Sequence, residues 1–214
     1  MCVSGGKVKL AKEMKYDPDR LFFLVISPYA YLAGDRLTAI AQRHNAEVIY
    51  KPLDVIALFA RTGGTAPKDR HSSRKEYRAQ DLVRQATKAG LKFTLQPGHW
   101  PVNQAPASSA FIAAQNAGGG DLGNLAHGMT RAFWAEERNI AEEAVIRECL
   151  AGAGFDPDLA ETGLLPGAEE YAANLEQAVE AGAFGSPFYI LDNGERFWGQ
   201  DRLEDLDAHL AGNL

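Results

Sequence analysis

The sequence predicts an α/β fold in which strands lie near both ends of the chain and helices fill the centre. Three observations indicate this fold. Residues 21–26 are a continuous run of apolar side chains, which is typical of a strand buried on both faces. Between residues 73 and 182 the apolar side chains recur at helical spacing. Near the C-terminus, Asn193-Gly194 separates two short apolar runs, which predicts a β-hairpin.

The first strand leads into a β-α-β unit. Ser27 and Pro28 fit the N-cap and the first helical position, because the serine oxygen can accept a backbone N–H and proline has none to lose. The apolar spacing that follows predicts a helix over residues 28–44. Residues 47–53 are a second candidate strand, in which Pro52 indicates a sheet edge or the end of the strand.

The centre of the chain is predicted to be an all-helical block. Ser73-x-x-Glu76 resembles a capping box, and Gly90 is a stop signal for the helix that follows it. Apolar side chains at helical spacing predict four more helices, over residues 108–117, 122–133, 144–150 and 168–181.

The C-terminal segment returns to strands and ends on a helix. Residues 187–191 and 195–198 are the predicted hairpin strands, and Asp201-x-x-Glu204 resembles a capping box. The order β-α-β, helical block, β-β-α is that of a thioredoxin-like fold with a large all-helical insertion. We therefore expect three parts, which are an N-terminal extension over residues 1–19, a thioredoxin-like domain from residues 20–55 and 183–214, and a helical insertion domain over residues 56–182.

Composition excludes several classes of function. The 214 residues carry 22 basic and 28 acidic side chains, so the formal net charge of −6 argues against binding nucleic acid or a membrane through a basic face. No apolar run approaches the roughly 20 residues that a membrane span needs. Residues 1–19 contain no apolar segment typical of a secretory signal, so we expect a cytoplasmic protein.

The cysteines and histidines do not indicate a metal or redox centre. Cys2 and Cys149 are far apart in the sequence, and neither lies in a C-x-x-C pair. A disulfide scaffold, a zinc site and a dithiol centre are therefore disfavoured. The five histidines show no metal-ligand spacing, so no metal is expected.

Two segments could carry chemistry. Ser27 lies at the predicted N-terminus of the first helix, where unpaired N–H groups and the helix dipole favour an anion such as a thiolate. The alternative is that Ser27 only caps the helix. Ser186-Pro187 precedes a strand and is a candidate cis peptide, because X–Pro is the linkage where the cis form costs little. A trans proline that starts the strand is the alternative.

Three motifs carry a resemblance to a known family. They are Ser27-Pro-Tyr-Ala-Tyr-Leu-Ala33, Ala183-Phe-Gly-Ser-Pro187 and Phe197-Trp-Gly-Gln-Asp-Arg-Leu203. With a helical block between them, the chain resembles the 2-hydroxychromene-2-carboxylate isomerase family from about Arg20 to its C-terminus. That family groups with the kappa-class glutathione transferases and, more distantly, with the DsbA-like oxidoreductases.

The resemblance implies glutathione as cofactor. Ser27 matches the family's catalytic serine, whose hydroxyl is expected to donate to the glutathione sulfur. The oxidoreductase relatives have the first cysteine of a C-x-x-C motif at this place, whereas residues 27–30 here are Ser-Pro-Tyr-Ala, which excludes dithiol exchange by that route. Ser186 and Pro187 match the segment whose backbone pairs with the cysteinyl part of glutathione like an added strand.

The resemblance also implies residues for the two ends of the ligand pocket. The γ-glutamyl end is expected at Trp198, Gly199, Gln200 and Asp201. Asp201 could bind the ammonium group, or it could be a plain N-cap. For an aromatic substrate, Arg70 suits a carboxylate and lies beside Asp69, and Trp100 could stack on an aryl ring. Solvated loop charges and surface packing are the respective alternatives.

The activity implied by the resemblance is a glutathione-dependent cis-trans isomerisation in a homodimeric enzyme. The substrate would be 2-hydroxychromene-2-carboxylate or a related aromatic-degradation intermediate, and thiolate addition and elimination would give trans-o-hydroxybenzylidenepyruvate. Two other functions fit the same sequence. One is a kappa-like glutathione transferase or peroxidase, and the other is a non-catalytic thioredoxin-fold binding module.

Overall fold

A computed structural model describes residues 19–23 and 25–214 of the chain, with the side chains of residues 23 and 25–214. The predicted N-terminal extension lies outside the described residues except for Asp19, which begins the first strand. The elements in chain order are β1 (Asp19–Phe23), α1 (Pro28–Ala33), α2 (Arg36–His44), β2 (Val48–Pro52), α3 (Val55–Thr62), α4 (Ser72–Ala89), α5 (Ala105–Ala117), α6 (Leu122–Trp134), α7 (Glu143–Gly152), α8 (Leu159–Thr162), α9 (Leu164–Glu180), β3 (Phe188–Ile190), β4 (Arg196–Trp198) and α10 (Leu203–Leu210). Short 3₁₀ helices occupy Pro67–Asp69 and Gln200–Arg202.

The four strands form one sheet in the order β2-β1-β3-β4. β1 is parallel to β2 and antiparallel to β3, with Leu21 opposite Tyr189, and β3 pairs antiparallel with β4. The predicted hairpin is confirmed. β2 is an edge strand and ends at Pro52, as predicted, since proline has no N–H to donate to a further ladder bond.

The first strand is shorter than the apolar run predicted. β1 ends at Phe23, and Val25 and Ile26 are buried in the turn that leads to α1. A continuous apolar run reports burial, and a buried turn produces the same pattern as a buried strand.

The predicted helix over residues 28–44 is two helices. The chain breaks at Gly34, whose φ of 54° lies in the left-handed region that favours glycine. Arg36, the first residue of α2, donates from its guanidinium to the carbonyl oxygens of Leu32 and Ala33. These bonds satisfy carbonyl groups at the end of α1, so the break leaves few unpaired acceptors.

The helical block differs from the prediction at several helix ends. α3 was not predicted, and its cap is Asp54, whose carboxylate accepts the N–H groups of Ile56 and Ala57. Neither predicted capping box is present. α4 begins one residue before Ser73 and is capped by His71, and α10 follows a 3₁₀ helix with no side-chain cap. α5 and α9 each begin earlier than predicted, and each has a proline in its first turn, where proline costs no helical hydrogen bond.

One hydrophobic core joins the sheet to the helices. Phe23 of β1 packs edge-on against Tyr50 of β2, with ring centroids 5.9 Å apart, and against Phe111 of α5, at 5.3 Å. The same cluster of buried residues includes helices α3, α5 to α7 and α10. The sheet and the helical block therefore share a core, and their division into two domains stays a prediction. None of the helices in the described part of the chain is long and apolar enough to cross a bilayer.

Candidate functional site

The fold brings Ser27 and Ser186 together, as expected. Ser27 is the N-cap of α1, is 4% exposed, and accepts the N–H of Ala30 at 3.3 Å. Its hydroxyl donates to the backbone carbonyl oxygen of Ser186, also at 3.3 Å. The two residues are 159 positions apart in the sequence. Ser27 is thus both a helix cap and a link to the Ser186 segment.

The Ser186-Pro187 peptide bond is cis. The carbonyl oxygen of Pro187 accepts the N–H of Gly199 at 3.0 Å. This bond extends the β3–β4 ladder and holds the segment after β4 beside the segment before β3. The two segments predicted to hold glutathione are therefore neighbours.

An exposed aromatic pair flanks this loop. The rings of Phe184 and Trp198 meet edge-on at 4.9 Å, and the two side chains are 43% and 53% exposed. Gly185 lies directly under the indole, because a Cβ added there would lie 2.3 Å from the Trp198 Nε1. Glycine is therefore required for this close approach of Trp198 to the residue before Ser186.

The residues after Trp198 have distinct roles. Gly199 has a φ of 104°, and a Cβ there would lie 2.5 Å from a carboxylate oxygen of Asp201. Gln200 is buried, and its amide oxygen accepts from the guanidinium of Arg36. Asp201 is exposed and forms an ion pair with Arg202 at 3.1 Å. Because Arg36 belongs to α2 and also donates to the end of α1, the Gln200 side chain connects this segment to both helices. Asp201 does not act as the cap of α10.

Trp134 is a site residue that the sequence analysis missed. Its indole N–H donates to the carbonyl oxygen of Ile26 at 3.2 Å, and the bond is buried. It therefore supports the turn immediately before Ser27. Trp100 packs against Trp134, with ring centroids 5.9 Å apart, and is 49% exposed. In the sequence Trp134 is one apolar position of a helix, and only its indole N–H could have indicated a need for a buried acceptor.

The predicted substrate residues Asp69 and Arg70 differ in their surroundings. Arg70 is half-buried, and its guanidinium carbon lies 5.6 Å from the ring centroid of Phe59. Burial, together with the charges of neighbouring arginines, lowers the pKa of Arg70. Asp69 is exposed, and its side chain makes no hydrogen bond or ion pair with the described residues. Among the described residues, no hydrogen bond or ion pair connects Asp69 to Ser27.

Cys149, the cysteine in the described part of the chain, does not have the lowered pKa of a catalytic thiol. Burial raises the pKa of Cys149 to about 11, so its thiolate is scarce near neutrality. Over residues 19–23 and 25–214, the His, Cys, Asp and Glu side chains form no group of three that could hold a metal ion. The described site offers hydroxyl, backbone amide, aromatic, guanidinium and carboxylate groups.

Comparison with known proteins identifies the family. The family model described as a DSBA-like thioredoxin domain matches residues 20–211. The chain belongs to this family. Its structure is similar to that of a 2-hydroxychromene-2-carboxylate isomerase, with a TM-score of 0.75 and 24% identity over 92% of this chain and 95% of that one. The predicted thioredoxin-like fold with its large helical insert is confirmed.

Relatives of this DSBA-like protein include two kinds of named protein. A 2-hydroxychromene-2-carboxylate isomerase from Sphingobium xenophagum is 28% identical over 192 residues, which cover 88% of this chain and 95% of the relative. A glutathione S-transferase kappa 2 from Caenorhabditis elegans is 22% identical over 205 residues, which cover 90% and 91%. The resemblance carried by the three sequence motifs is confirmed, and the names support a glutathione-linked isomerase or transferase.

Proposed function

We propose that this protein is a glutathione-dependent isomerase acting on 2-hydroxychromene-2-carboxylate or a related bicyclic aromatic-degradation intermediate. The observation that carries the proposal is the hydroxyl of Ser27, which lies at the N-terminus of α1 and 3.3 Å from the carbonyl oxygen of Ser186. Residues 27–30 contain no cysteine, so the reactive sulfur would come from a bound thiol. The isomerase relatives supply the substrate class.

Ser27 would stabilise the glutathione thiolate. In the free protein its hydroxyl donates a hydrogen bond to the carbonyl oxygen of Ser186. The same hydroxyl can rotate and donate instead to a sulfur placed at the helix N-terminus. The first-turn N–H groups and the helix dipole favour the same negative charge. Together they would lower the thiol pKa from about 8.5 toward neutrality.

The rest of glutathione would lie along the two neighbouring loops. The backbone of Ser186, before the cis-proline Pro187, would pair with the cysteinyl residue like an added strand. Trp198 and Gly199 would face the γ-glutamyl end, and the exposed carboxylate of Asp201 would bind its ammonium group. Gln200 would act indirectly, since its side chain accepts from Arg36 and holds this segment in place.

The reaction would proceed by addition and elimination. A glutathione thiolate held at Ser27 would supply a nucleophile that adds to the conjugated double bond of the ring-opened chromene and is expelled again, and the bond would rotate to the trans form in between. Covalent catalysis of this kind replaces one hard rotation with easier steps and consumes no glutathione. Arg70 and Trp100 would contact the substrate carboxylate and aryl ring, and Asp69 would lie beside them.

A kappa-like glutathione transferase is the second candidate, favoured by the kappa-class relative. It would use the same thiolate but keep glutathione in its product, and a peroxidase would oxidise it. Product analysis separates these functions, because an isomerase returns one glutathione in every cycle. A non-catalytic binding module would bind glutathione and turn over none of the candidates. The homodimer and the cytoplasmic location stay predictions.

The test is a spectrophotometric assay of 2-hydroxychromene-2-carboxylate with purified protein and glutathione. S-methylglutathione is the matched control, because it fills the same site but has no thiol to ionise. We expect turnover with glutathione, none with the S-methyl compound, and an unchanged glutathione concentration at the end. Absence of glutathione-dependent turnover would contradict the proposal.

A further inference from the structure

An internal cavity lies behind the contact between Ser27 and Ser186. It is bounded by the sheet and by helices α1, α2 and α6, and about 40 Å³ of it is open to the centre of a water molecule. Two of the residues that line it adjoin the candidate site. Ala30 donates its N–H to the Ser27 oxygen, and Pro187 follows the carbonyl group to which Ser27 donates. The cavity therefore borders the candidate site from the side of the core.

Two buried tyrosines on one face of the sheet line this cavity. Tyr50 of β2 and Tyr189 of β3 are each opposite Leu21 of β1 in the strand register, which places both on the same face. Tyr50 is 6% exposed, and its side chain forms a hydrogen bond with Thr38 of α2. Tyr189 is 3% exposed, and its hydroxyl has no hydrogen-bond partner among the described residues. One polar group on the sheet side of the cavity therefore lacks a protein partner.

A histidine on α6 provides a second polar group without a partner. His127 lines the cavity, and its Nδ1 is buried and makes no hydrogen bond within the described part of the chain. The ring stacks on Tyr31 of α1, with centroids 5.7 Å apart and an interplanar angle of 19°. Burial lowers the pKa of His127, so the ring is neutral near pH 7 and its Nδ1 either donates or accepts, according to the tautomer.

The lining determines which kind of molecule fits this cavity. The described residues that line it include no Asp, Glu, Lys or Arg, so neither a cation nor an anion would find an opposite charge there. A tyrosine hydroxyl and a neutral imidazole need a partner that both donates and accepts. About 40 Å³ exceeds the roughly 10–15 Å³ that one water molecule requires, and it is too small for glutathione or an aromatic substrate. Water meets all of these conditions.

We propose that the cavity is an internal hydration site, where one or two ordered water molecules bond to the hydroxyl of Tyr189 and to Nδ1 of His127. Without such a partner each group would carry the cost of desolvation, which exceeds the cost of immobilising a water molecule. The water would connect β3 to α6 directly behind the Ser27–Ser186 contact. This inference goes beyond the proposed function, because it requires neither a bound thiol nor turnover.

The first test is a crystal structure of the full chain at a resolution that shows ordered water. We expect electron density for water about 2.6–3.2 Å from the hydroxyl oxygen of Tyr189 and from Nδ1 of His127. A smaller cavity between α2, β3 and α10 is the internal control, because its described lining is apolar apart from Tyr189. We expect no water density in this second cavity, since apolar cavities stay dry.

The second test counts internal water in solution by oxygen-17 magnetic relaxation dispersion. This method detects water molecules that stay inside a protein for longer than the protein takes to rotate. We expect a double Tyr189→Phe, His127→Phe variant to lose at least one such molecule relative to the wild type. Tyr31→Phe is the matched control, because Tyr31 is also buried and donates to the carbonyl oxygen of Lys92 at 2.7 Å, but it does not line the cavity. Its count should equal that of the wild type. Circular dichroism establishes that each variant is folded.

Several results would overturn the inference. They are a crystal structure with no water density beside Tyr189 and His127, density for water in the second cavity instead, or direct hydrogen bonds from both groups to the protein. An equal water count in the wild type and the double variant, or the same loss in Tyr31→Phe, would also overturn it. If the double variant does not fold, the electron density of the wild type decides alone. Failure of the proposed isomerase would leave these measurements unchanged.

Discussion

The hydroxyl of Ser27 lies 3.3 Å from the carbonyl oxygen of Ser186, so the cap of α1 and the residue before a cis-proline share a hydrogen bond. The sheet order explains the contact. β1 ends just before Ser27, β3 begins just after Ser186, and the two strands are antiparallel neighbours. The C-terminal end of β1 and the N-terminal end of β3 therefore lie at the same end of the sheet. The helix N-terminus and the loop meet there.

Replacing Ser27 by alanine tests the role of its hydroxyl. We expect Ser27→Ala to lower glutathione-dependent turnover about 100-fold, the size typical of losing one preorganised donor to a developing anion. Glutathione binding should weaken less than about tenfold, because the loop contacts remain. Steady-state kinetics and calorimetry measure the two effects.

The control for Ser27→Ala removes a different helix cap. Asp121 caps α6 by accepting the N–H of Asn124 at 2.9 Å. Asp121→Ala should cost about 1 kcal/mol of stability, as cap losses do, and leave turnover unchanged. If both variants lost activity to the same degree, the effect of Ser27 would be a loss of fold and not of chemistry.

Gly185→Ala tests the close approach of Trp198. The new Cβ would lie 2.3 Å from the indole nitrogen, so Trp198 has to move. We expect glutathione affinity to fall roughly tenfold. The free energy of unfolding should decrease by about 1–3 kcal/mol, which is the usual cost of overpacking. Gly128→Ala in α6 is the contrast, since nothing lies within 4 Å of its added Cβ. It should raise stability by about 0.5–1 kcal/mol. Unchanged glutathione affinity in Gly185→Ala would remove Trp198 from the proposed site.

Trp134→Phe tests the support of the turn before Ser27. The change leaves the buried carbonyl oxygen of Ile26 without its indole donor, so we expect a loss of about 1–3 kcal/mol in denaturant unfolding. Trp100→Phe is the matched change. The Trp100 indole makes no hydrogen bond to the described residues, and its replacement should cost less than about 0.5 kcal/mol. Equal costs for the two variants would show that ring packing, and not the hydrogen bond, sets the stability of this region.

Cys149 should be nearly inert in the folded protein. Burial raises its pKa from 9.0 to about 11, so at pH 8 its thiolate fraction is about 100-fold below that of an ordinary thiol. A Cys2→Ser variant isolates this residue. Reaction with a thiol reagent should be at least about 100-fold slower in buffer than in denaturant. The rate should rise with pH up to about 11. Fast modification of the folded variant would indicate that Cys149 is accessible.

The sequence predicted the element order and the meeting of Ser27 with the Ser186 segment because both depend on patterns that the chain displays locally. The hydrophobic period and the turn residues define strands and helices, and the order of these elements then determines which loops lie at the same end of the sheet. The motifs around Ser27 and Pro187 also indicated which family the chain resembles. The cis bond at Pro187 was one of two alternatives, since base rates favour the trans form.

The remaining features depend on contacts between distant residues. The break at Gly34 is stabilised by the Arg36 side chain, which also reaches Gln200, 164 positions away. Trp134 is recognised as a site residue only through its bond to Ile26, 108 positions earlier. The contact of Arg78 with the ring of Tyr29 can be recognised only once α4 is known to pack on α1. Local patterns carry no information on these pairings, because tertiary packing decides them.

The most direct test of the central claim is the pKa of the bound glutathione thiol. A Cys2→Ser, Cys149→Ser variant leaves glutathione as the only thiol, and the ultraviolet absorbance of the thiolate reports its ionisation. In the complex we expect this pKa to lie at least one unit below the value of about 8.5 for a free thiol, and adding Ser27→Ala should return it toward that value. A bound thiol that titrates at the free value, or one whose titration Ser27→Ala leaves unchanged, would contradict the account.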